Sequence, residues 1–360
     1  MKISMFIGSL TGGGAERVIC NLANFLIRNG HQVTIVTNVE AGGFYELDSR
    51  IRRYILLYDK EKKNPLSNFF HCMKKLEKYV TENSSDHYVV FLPLTTVMLL
   101  SLRKNISGRI LVSERGDPEQ NSKLMKFLLK RLIGNADGVV FQTDVVKAWY
   151  EPYIRNIESI VIPNAINPSF LKPKCKGDRE KVIVGVGRLS NQKNFPLLIS
   201  SFAKISKKFP EYKLVIYGKG GLLDSLKSLA KEKGVGDRVE FPGYIPDMPE
   251  KLEIASMFVL SSDYEGMPNA LMEAMALGVP CVSTDCGGGG ARFLIKDGEN
   301  GLLVPQRDEE KMAEAMEKIL SDEAFAYKIS ENSRKLQKTL APDKIYGEWE
   351  KFILKKIEEK

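Results

Sequence analysis

Short apolar runs recur along the chain, each followed by a polar, often glycine-bearing turn and then by a stretch with helical periodicity. In the first half the runs at Lys2–Gly8, Gln32–Thr37, Tyr88–Leu92, Arg109–Val112 and Gly138–Gln142 read as strands. Between the first two, Val18, Leu22, Phe25 and Leu26 recur at helical spacing over Glu16–Arg28, and Gly30 supplies the stop. The second half repeats the rhythm. Strands are predicted at Val182–Gly187, Lys213–Gly218, Val239–Pro242, Met257–Ser261, Pro280–Thr284 and Gly301–Pro305. Helices fit at Pro196–Lys208, Leu222–Lys233, Pro249–Ala255, Asn269–Leu277, Ala291–Ile295 and Glu309–Ser321. Strand alternating with helix implies parallel sheets with helices on both faces.

The rhythm breaks near Pro163-Asn164-Ala165-Ile166-Asn167-Pro168 and over the polar stretch Lys172–Lys181, where proline biases the backbone toward an extended path. The predicted fold class is therefore α/β, with two Rossmann-like doubly wound domains at residues 1–168 and 169–342 and a terminal segment at 343–360. In such sheets ligands bind outside the carboxyl ends of the strands. One further helix, Ser122–Ile133, is predicted to put Lys123, Lys126 and Lys130 on one face and Leu124, Met125, Leu128, Leu129 and Leu132 on the other, with Phe127 beside the lysines. It reads as a solvated face or as a contact for an anionic membrane surface.

Composition changes this picture little. A chain of 360 residues with 43% hydrophobic and 27% charged positions suits two soluble domains. No apolar run approaches the roughly 18 residues of a membrane span, and Lys2–Gly8 reads as a first strand, not as an export signal. Five scattered cysteines and three histidines make no metal spacing, so no metal is expected. Free thiols fit a reducing cytoplasm. The net charge of +8 points to anionic partners; without a nucleic-acid-binding signature, phosphates and lipid headgroups are expected and nucleic acid is not.

Candidate chemistry gathers at strand-to-helix turns. Gly12-Gly13-Gly14-Ala15-Glu16-Arg17 opens a helix, where glycines permit close backbone approach and the helix amino terminus favours an anion. The dinucleotide fingerprint spacing is absent, and a tight packing turn fits equally well. Arg188 and Lys193 follow the Val182–Gly187 strand and could grip a phosphate. Asp263-Tyr264-Glu265-Gly266-Met267-Pro268-Asn269-Ala270 leads into a helix carrying Glu273, with Leu271, Ala274, Met275 and Leu277 expected on its buried side. Carboxylates beside such a stripe need partners, and vicinal sugar hydroxyls supply them. Asp285-Cys286-Gly287-Gly288-Gly289-Gly290-Ala291-Arg292 and Ser113-Glu114-Arg115-Gly116-Asp117-Pro118 form two more such loops.

Together these residues resemble glycosyltransferase family 4, the retaining GT-B enzymes, nearly end to end. The carriers are Gly12 to Val18, Pro163-Asn164-Ala165, Gly187-Arg188-Leu189 with Lys193-Asn194, Gly218-Lys219-Gly220, Phe241-Pro242-Gly243-Tyr244, Ser261 to Glu273 and Asp297 to Val304. The resemblance implies a metal-independent, retaining hexosyltransferase that uses a nucleotide diphosphate sugar, UDP-linked, and a glycan or lipid-linked acceptor in polysaccharide biosynthesis, with no cofactor. It implies that Glu273 holds the ribose, Glu265 the donor sugar, and Arg188 and Lys193 the leaving diphosphate. It also implies that Gly12, Gly13 and Gly14 close over the phosphates, that Tyr244 and Ile245 meet the base, and that Met267, Asn269 and Ala270 line the donor. Arg115, Asp117 and Glu16 are candidate sugar or acceptor contacts. Arg115 stands where many members carry histidine, a departure that bears on which sugar is accepted. The terminal helix, about Asp343–Lys356, would cross back onto the first domain. The protein would be cytoplasmic, with Lys123, Lys126, Phe127 and Lys130 as its peripheral contact with the inner membrane face. Two alternatives share the fold: a sugar-nucleotide epimerase and a non-catalytic nucleotide-sugar-binding subunit.

Overall fold

A computed structural model describes residues 1–40, 45–58, 63–173, 177, 179–245 and 247–355. Cys175 and the last residue of the expected terminal helix, Lys356, lie outside them. The chain divides into two compact units, Met1–Asn164 with Asp343–Lys360, and Ala165–Pro342.

The first unit holds one parallel sheet of β1 (Lys2–Ile7), β2 (Gln32–Val39), β3 (Arg52–Leu57), β4 (His87–Phe91), β5 (Arg109–Ser113), β6 (Gly138–Phe141) and β7 (Glu158–Val161). Their order is β3-β2-β1-β4-β5-β6-β7, so the winding reverses between β1 and β4. Strands β4, β5 and β6 are buried throughout, as helices on both faces require. β3 and β7 were not expected. They are edge strands whose polar residues (Arg52 and Arg53; Glu158 and Ser159) dilute the apolar signal. Phe6 stacks on Tyr88 at 6.0 Å and meets Tyr79 edge-on at 5.9 Å in the core of one face. Trp349, buried in the terminal helix Pro342–Leu354, lies 5.9 Å from Phe91 in the same unit.

The second unit holds β8 (Glu180–Val186), β9 (Lys213–Tyr217), β10 (Val239–Gly243), β11 (Ala255–Leu260), β12 (Cys281–Thr284) and β13 (Leu302–Val304), again all parallel. The order β10-β9-β8-β11-β12-β13 puts the reversal between β8 and β11. The helix Asn269–Ala276 follows β11. Leu271, Met272, Ala274, Met275 and Ala276 are all buried, so apolar contact surrounds it more completely than a single stripe would. Pro268 is its N-cap, one position before the expected first turn, and Gly278 closes it at φ 73°.

The lysine-bearing helix spans Lys123–Leu132, but its faces differ from the expectation. Leu129 is buried, and Met125, Leu128 and Leu132 are half-buried, giving a stripe at i, i+3, i+4 and i+7. Leu124 falls outside that stripe and is 67% exposed, next to Phe127 at 63%. Two lysines are engaged: Lys126 Nζ lies 2.6 Å from Glu119, and Lys130 sits over the rings of Trp149 and Tyr153 at 4.8 and 5.1 Å.

Candidate active site

The reversal between β8 and β11 leaves two adjacent strand ends whose outgoing loops diverge, the usual seat of a ligand in an open parallel sheet. Both loops carry the expected residues. After β8 the chain passes Gly187 and exposed Arg188, then makes a single turn at Asn191–Lys193. Asn194 follows at φ 44°, an unusual conformation for a residue with a Cβ. Its side chain accepts from the Leu197 amide at 3.4 Å, capping the helix Phe195–Ile205, and donates to Asp263 at 3.0 Å. That capping anchors the left-handed turn.

Hydrogen bonds sew the two loops together. Ser261 Oγ donates to the Lys193 carbonyl at 2.8 Å, the Asp263 amide to the Gln192 carbonyl at 2.9 Å, and the Gln192 side chain to the Tyr264 carbonyl at 2.9 Å. Arg307 pairs with Asp263 at 2.8 Å from the outside. Held this way, Lys193 Nζ donates to Glu265 Oε1 at 2.5 Å, and Ser262 Oγ donates to the same oxygen at 2.8 Å. Glu265 is buried and Lys193 nearly so. Arg188 has no ion-pair partner among the described residues.

A third loop closes on the pair. The Glu265 amide donates to the Gly287 carbonyl at 2.9 Å, and a Cβ at Gly290 would stand 1.9 Å from the Gly266 carbonyl oxygen. Gly290 must therefore be glycine for the backbones to touch. Asp285 and Arg292 form an ion pair across this loop. Cys286 is buried here and its thiol is pushed up to about 12 by desolvation, which makes it a poor nucleophile. Glu273 is buried on the first turns of its helix, with Met267 buried and Asn269 and Ala270 half-buried at the helix start. Tyr244 and Ile245 leave the end of β10, with Tyr244 largely exposed.

In the first unit, Gly13 caps the helix Gly14–Arg28, and Tyr45 donates to the Gly12 and Gly13 carbonyls at 3.2 and 3.1 Å. The Glu16 carboxylate folds back over Gly13, into the space where a Cβ would stand. Arg115 follows β5 and is buried. Its guanidinium lies 5.7 Å from the Trp349 ring and 5.9 Å from Phe91, and Nη2 donates to Asn164 at 2.5 Å. Burial draws its pKa down to about 9. The neighbouring Glu114 is buried too, close to the Tyr150 phenol, and desolvation pushes its carboxyl up to about 7. Asp117 accepts from the Glu119 amide at 3.0 Å and from Gln120 at 3.2 Å, so both oxygens act within its own turn.

The geometry thus brings together Lys193 and Glu265, leaves Arg188 exposed earlier on the β8 loop, and keeps Glu273 on the helix that follows Glu265. Sequence reasoning missed Ser262, the second donor to Glu265, and the Asp263–Arg307 pair. Ser262 stands inside the quoted motif, and its place just past the apolar run of β11 and shortly before Glu265 was the available signal. No group of three or more His, Cys, Asp or Glu residues that could hold a metal ion occurs among the described residues.

Residues 169–336 match the family described as glycosyl transferases group 1, and residues 12–170 match glycosyltransferase family 4. An uncharacterized glycosyltransferase of Haemophilus influenzae is 30% identical over 98% of this chain and 99% of its own length. The chain belongs to glycosyltransferase family 4. A similar family relative from Campylobacter jejuni, an α-1,4-N-acetyl-D-galactosaminyltransferase named for an undecaprenol-linked diphospho-glycan, is 29% identical over 98% of both chains. Sucrose-phosphate synthase from Thermosynechococcus elongatus superposes with a TM-score of 0.84 at 20% identity over 98% of both chains, which shows the GT-B fold. HepE from Anabaena, solved in complex with UDP, superposes at 0.80 with 18% identity, covering 98% of this chain and 99% of its own. In this family 4 glycosyltransferase the Lys193–Glu265 pair thus sits at the switch point of the second unit's sheet. No helix among the described residues is long and apolar enough to cross a membrane.

Proposed function

We propose that this glycosyltransferase moves a sugar from a nucleoside diphosphate donor, UDP-linked, to a glycan or lipid-linked acceptor in surface polysaccharide synthesis, with retention at the anomeric carbon and without a divalent metal. The observation that carries the reading is the loop pair after β8 and β11, where loop-to-loop hydrogen bonds fix Lys193 against Glu265 and Arg188 stands exposed on the same β8 loop. HepE is described with UDP-glucose, and the Campylobacter relative is named for a lipid diphosphate acceptor, which supports both substrate classes.

In this reading Glu273 grips the ribose and Glu265 the donor hydroxyls. Arg188 and Lys193 stabilise charge as the bond from the anomeric carbon to the diphosphate oxygen breaks. The acceptor hydroxyl attacks from the same face and passes its proton to that departing oxygen, so neither glutamate needs to be a nucleophile. Gly12–Gly14 cover the phosphates, Tyr244 and Ile245 meet the base, Met267, Asn269 and Ala270 line the donor, and Arg115, Asp117 and Glu16 contribute sugar or acceptor contacts. No observation favours epimerisation or a purely binding role.

Proton NMR of the product tests the stereochemistry and excess chelator tests metal independence. The expected result is a retained anomeric configuration with activity surviving EDTA. An inverted product, or complete loss in EDTA, contradicts the mechanism.

The same reading places the enzyme on the inner membrane face through the Lys123–Leu132 helix. Exposed Leu124 and Phe127 offer apolar contact, with Lys123 alongside and Lys126 and Lys130 in reserve behind their pairings. Apolar insertion and basic residues each strengthen attachment to anionic lipid.

A further inference from the structure

Lys193 is not a free cation in the ligand-free protein. Its ammonium is 2.5 Å from Glu265 Oε1, the pair is mostly removed from water, and Ser262 Oγ holds the same oxygen from 2.8 Å. Hydrogen bonds to backbone carbonyls fix both ends: Ser261 Oγ donates to the Lys193 carbonyl and the Glu265 amide to the Gly287 carbonyl. An arriving diphosphate therefore meets a lysine already neutralised, with a carboxylate beside it that repels phosphate. Arg188, exposed and without an ion-pair partner among the described residues, is the cation immediately on offer.

We propose that Glu265 withholds Lys193 from the diphosphate until donor-sugar hydroxyls engage that carboxylate, so that the site discriminates between the intact donor and the spent nucleotide. The inference rests on the donor reading above. A nucleotide sugar carries hydroxyls that donate hydrogen bonds to Glu265. They take over Oε1, and Lys193 turns to the phosphates. After transfer the nucleoside diphosphate has no sugar left to occupy Glu265, the lysine returns to it, and the product is held by fewer charges. Ser262 is a positioning residue in this scheme, since it aims Oε1 at Nζ without reaching the ligand. The device favours product release, a step that limits many enzymes.

The consequence runs against ordinary intuition, because removing a carboxylate's charge from the site tightens a ligand. Titration calorimetry with UDP, GDP and ADP on the full chain tests it, together with inhibitor titration against an intact nucleotide sugar. For whichever nucleotide wild type binds tightest, Glu265→Gln is expected to bind about five- to tenfold tighter, as loss of one nearby like charge implies. Its affinity for the sugar donor is expected to rise less or fall, so the preference for donor over spent nucleotide shrinks. Glu265→Asp, whose carboxylate is one methylene short of Nζ, serves as a second variant and shifts the same way, with thermal melts confirming that both fold. Equal or weaker nucleotide binding by both folded variants overturns the hand-over while leaving the transferase reading intact. Failure of wild type to bind any of the three nucleotides removes the donor reading and the inference with it.

Discussion

The roles proposed for Arg188, Lys193, Glu265 and Glu273 each carry a separate expectation at the scale of single side chains. Arg188→Ala and Lys193→Ala each remove a partner for charge that develops only as the diphosphate leaves, so each is expected to lower kcat about 100-fold with a smaller effect on donor binding. Steady-state kinetics on a nucleotide sugar checks this. Glu273→Gln loses a charge-assisted hydrogen bond to the ribose and is expected to weaken the bare nucleotide about 10- to 150-fold by calorimetry. Glu265→Gln moves the same measurement the other way, which separates the two carboxylates. The motif spacing made Arg188, Lys193, Glu265 and Glu273 legible as candidates. It could not show that two of them bind each other, because that contact depends on how two loops far apart in sequence meet. Glu114 gives a residue-scale prediction about stability. Its folded carboxyl titrates near 7, above the ordinary value of 4.5, so the folded state binds more protons than the unfolded one between those limits. Stability from this group is present below about pH 4.5, falls as pH rises, and is lost once pH passes about 7. Denaturant titrations of Glu114→Gln are expected to show that pH slope flattened, with a gain on the order of 2 kcal/mol at pH 8.

At the scale of elements, the sequence pattern located the inner strands of both sheets and the edges of the second, and missed both edge strands of the first. The runs at β1, β2, β4, β5 and β6 are rich in apolar residues, and their positions were legible to within a residue or two. β3 and β7 were missed: each opens on two polar residues, which leaves only Tyr54–Leu57 and Ile160–Val161 to carry the apolar signal. The Lys123–Leu132 helix was legible as an element, but its faces were not, because Leu124 looks like core by type and stands in solvent by position. The prediction that belongs here concerns its surface. The protein is expected to pellet with anionic but not neutral liposomes at low salt. Lys123→Glu with Lys126→Glu and Lys130→Glu should abolish this while leaving nucleotide binding intact; wild type that ignores anionic vesicles rules the surface out. Gly290 sets a second element-scale constraint. A methyl group there meets the Gly266 carbonyl oxygen, so Gly290→Ala must push the Glu265 loop aside. The expected cost is about 1–3 kcal/mol of stability together with a large loss of turnover, read by melts and kinetics on one preparation.

The whole molecule is two parallel α/β units, the first completed by the chain from Asp343 onward. Trp349 is the anchor of that return, fully buried against Phe91 with the Arg115 guanidinium over its ring. Trp349→Ala is expected to cost about 3–5 kcal/mol of stability in the first unit. The fold and family were legible because many short motifs agree along the chain, whereas the sugar and acceptor depend on pocket shape that no motif encodes. The central claim is that the β8 and β11 loops form the donor site of a transferase. Release of nucleoside diphosphate from a panel of nucleotide sugars, by purified wild type and by Lys193→Ala, tests it most directly. The account predicts that wild type consumes at least one UDP-sugar and that Lys193→Ala does so about 100-fold more slowly. Turnover unchanged by the substitution, or no turnover of any donor by wild type, would contradict it.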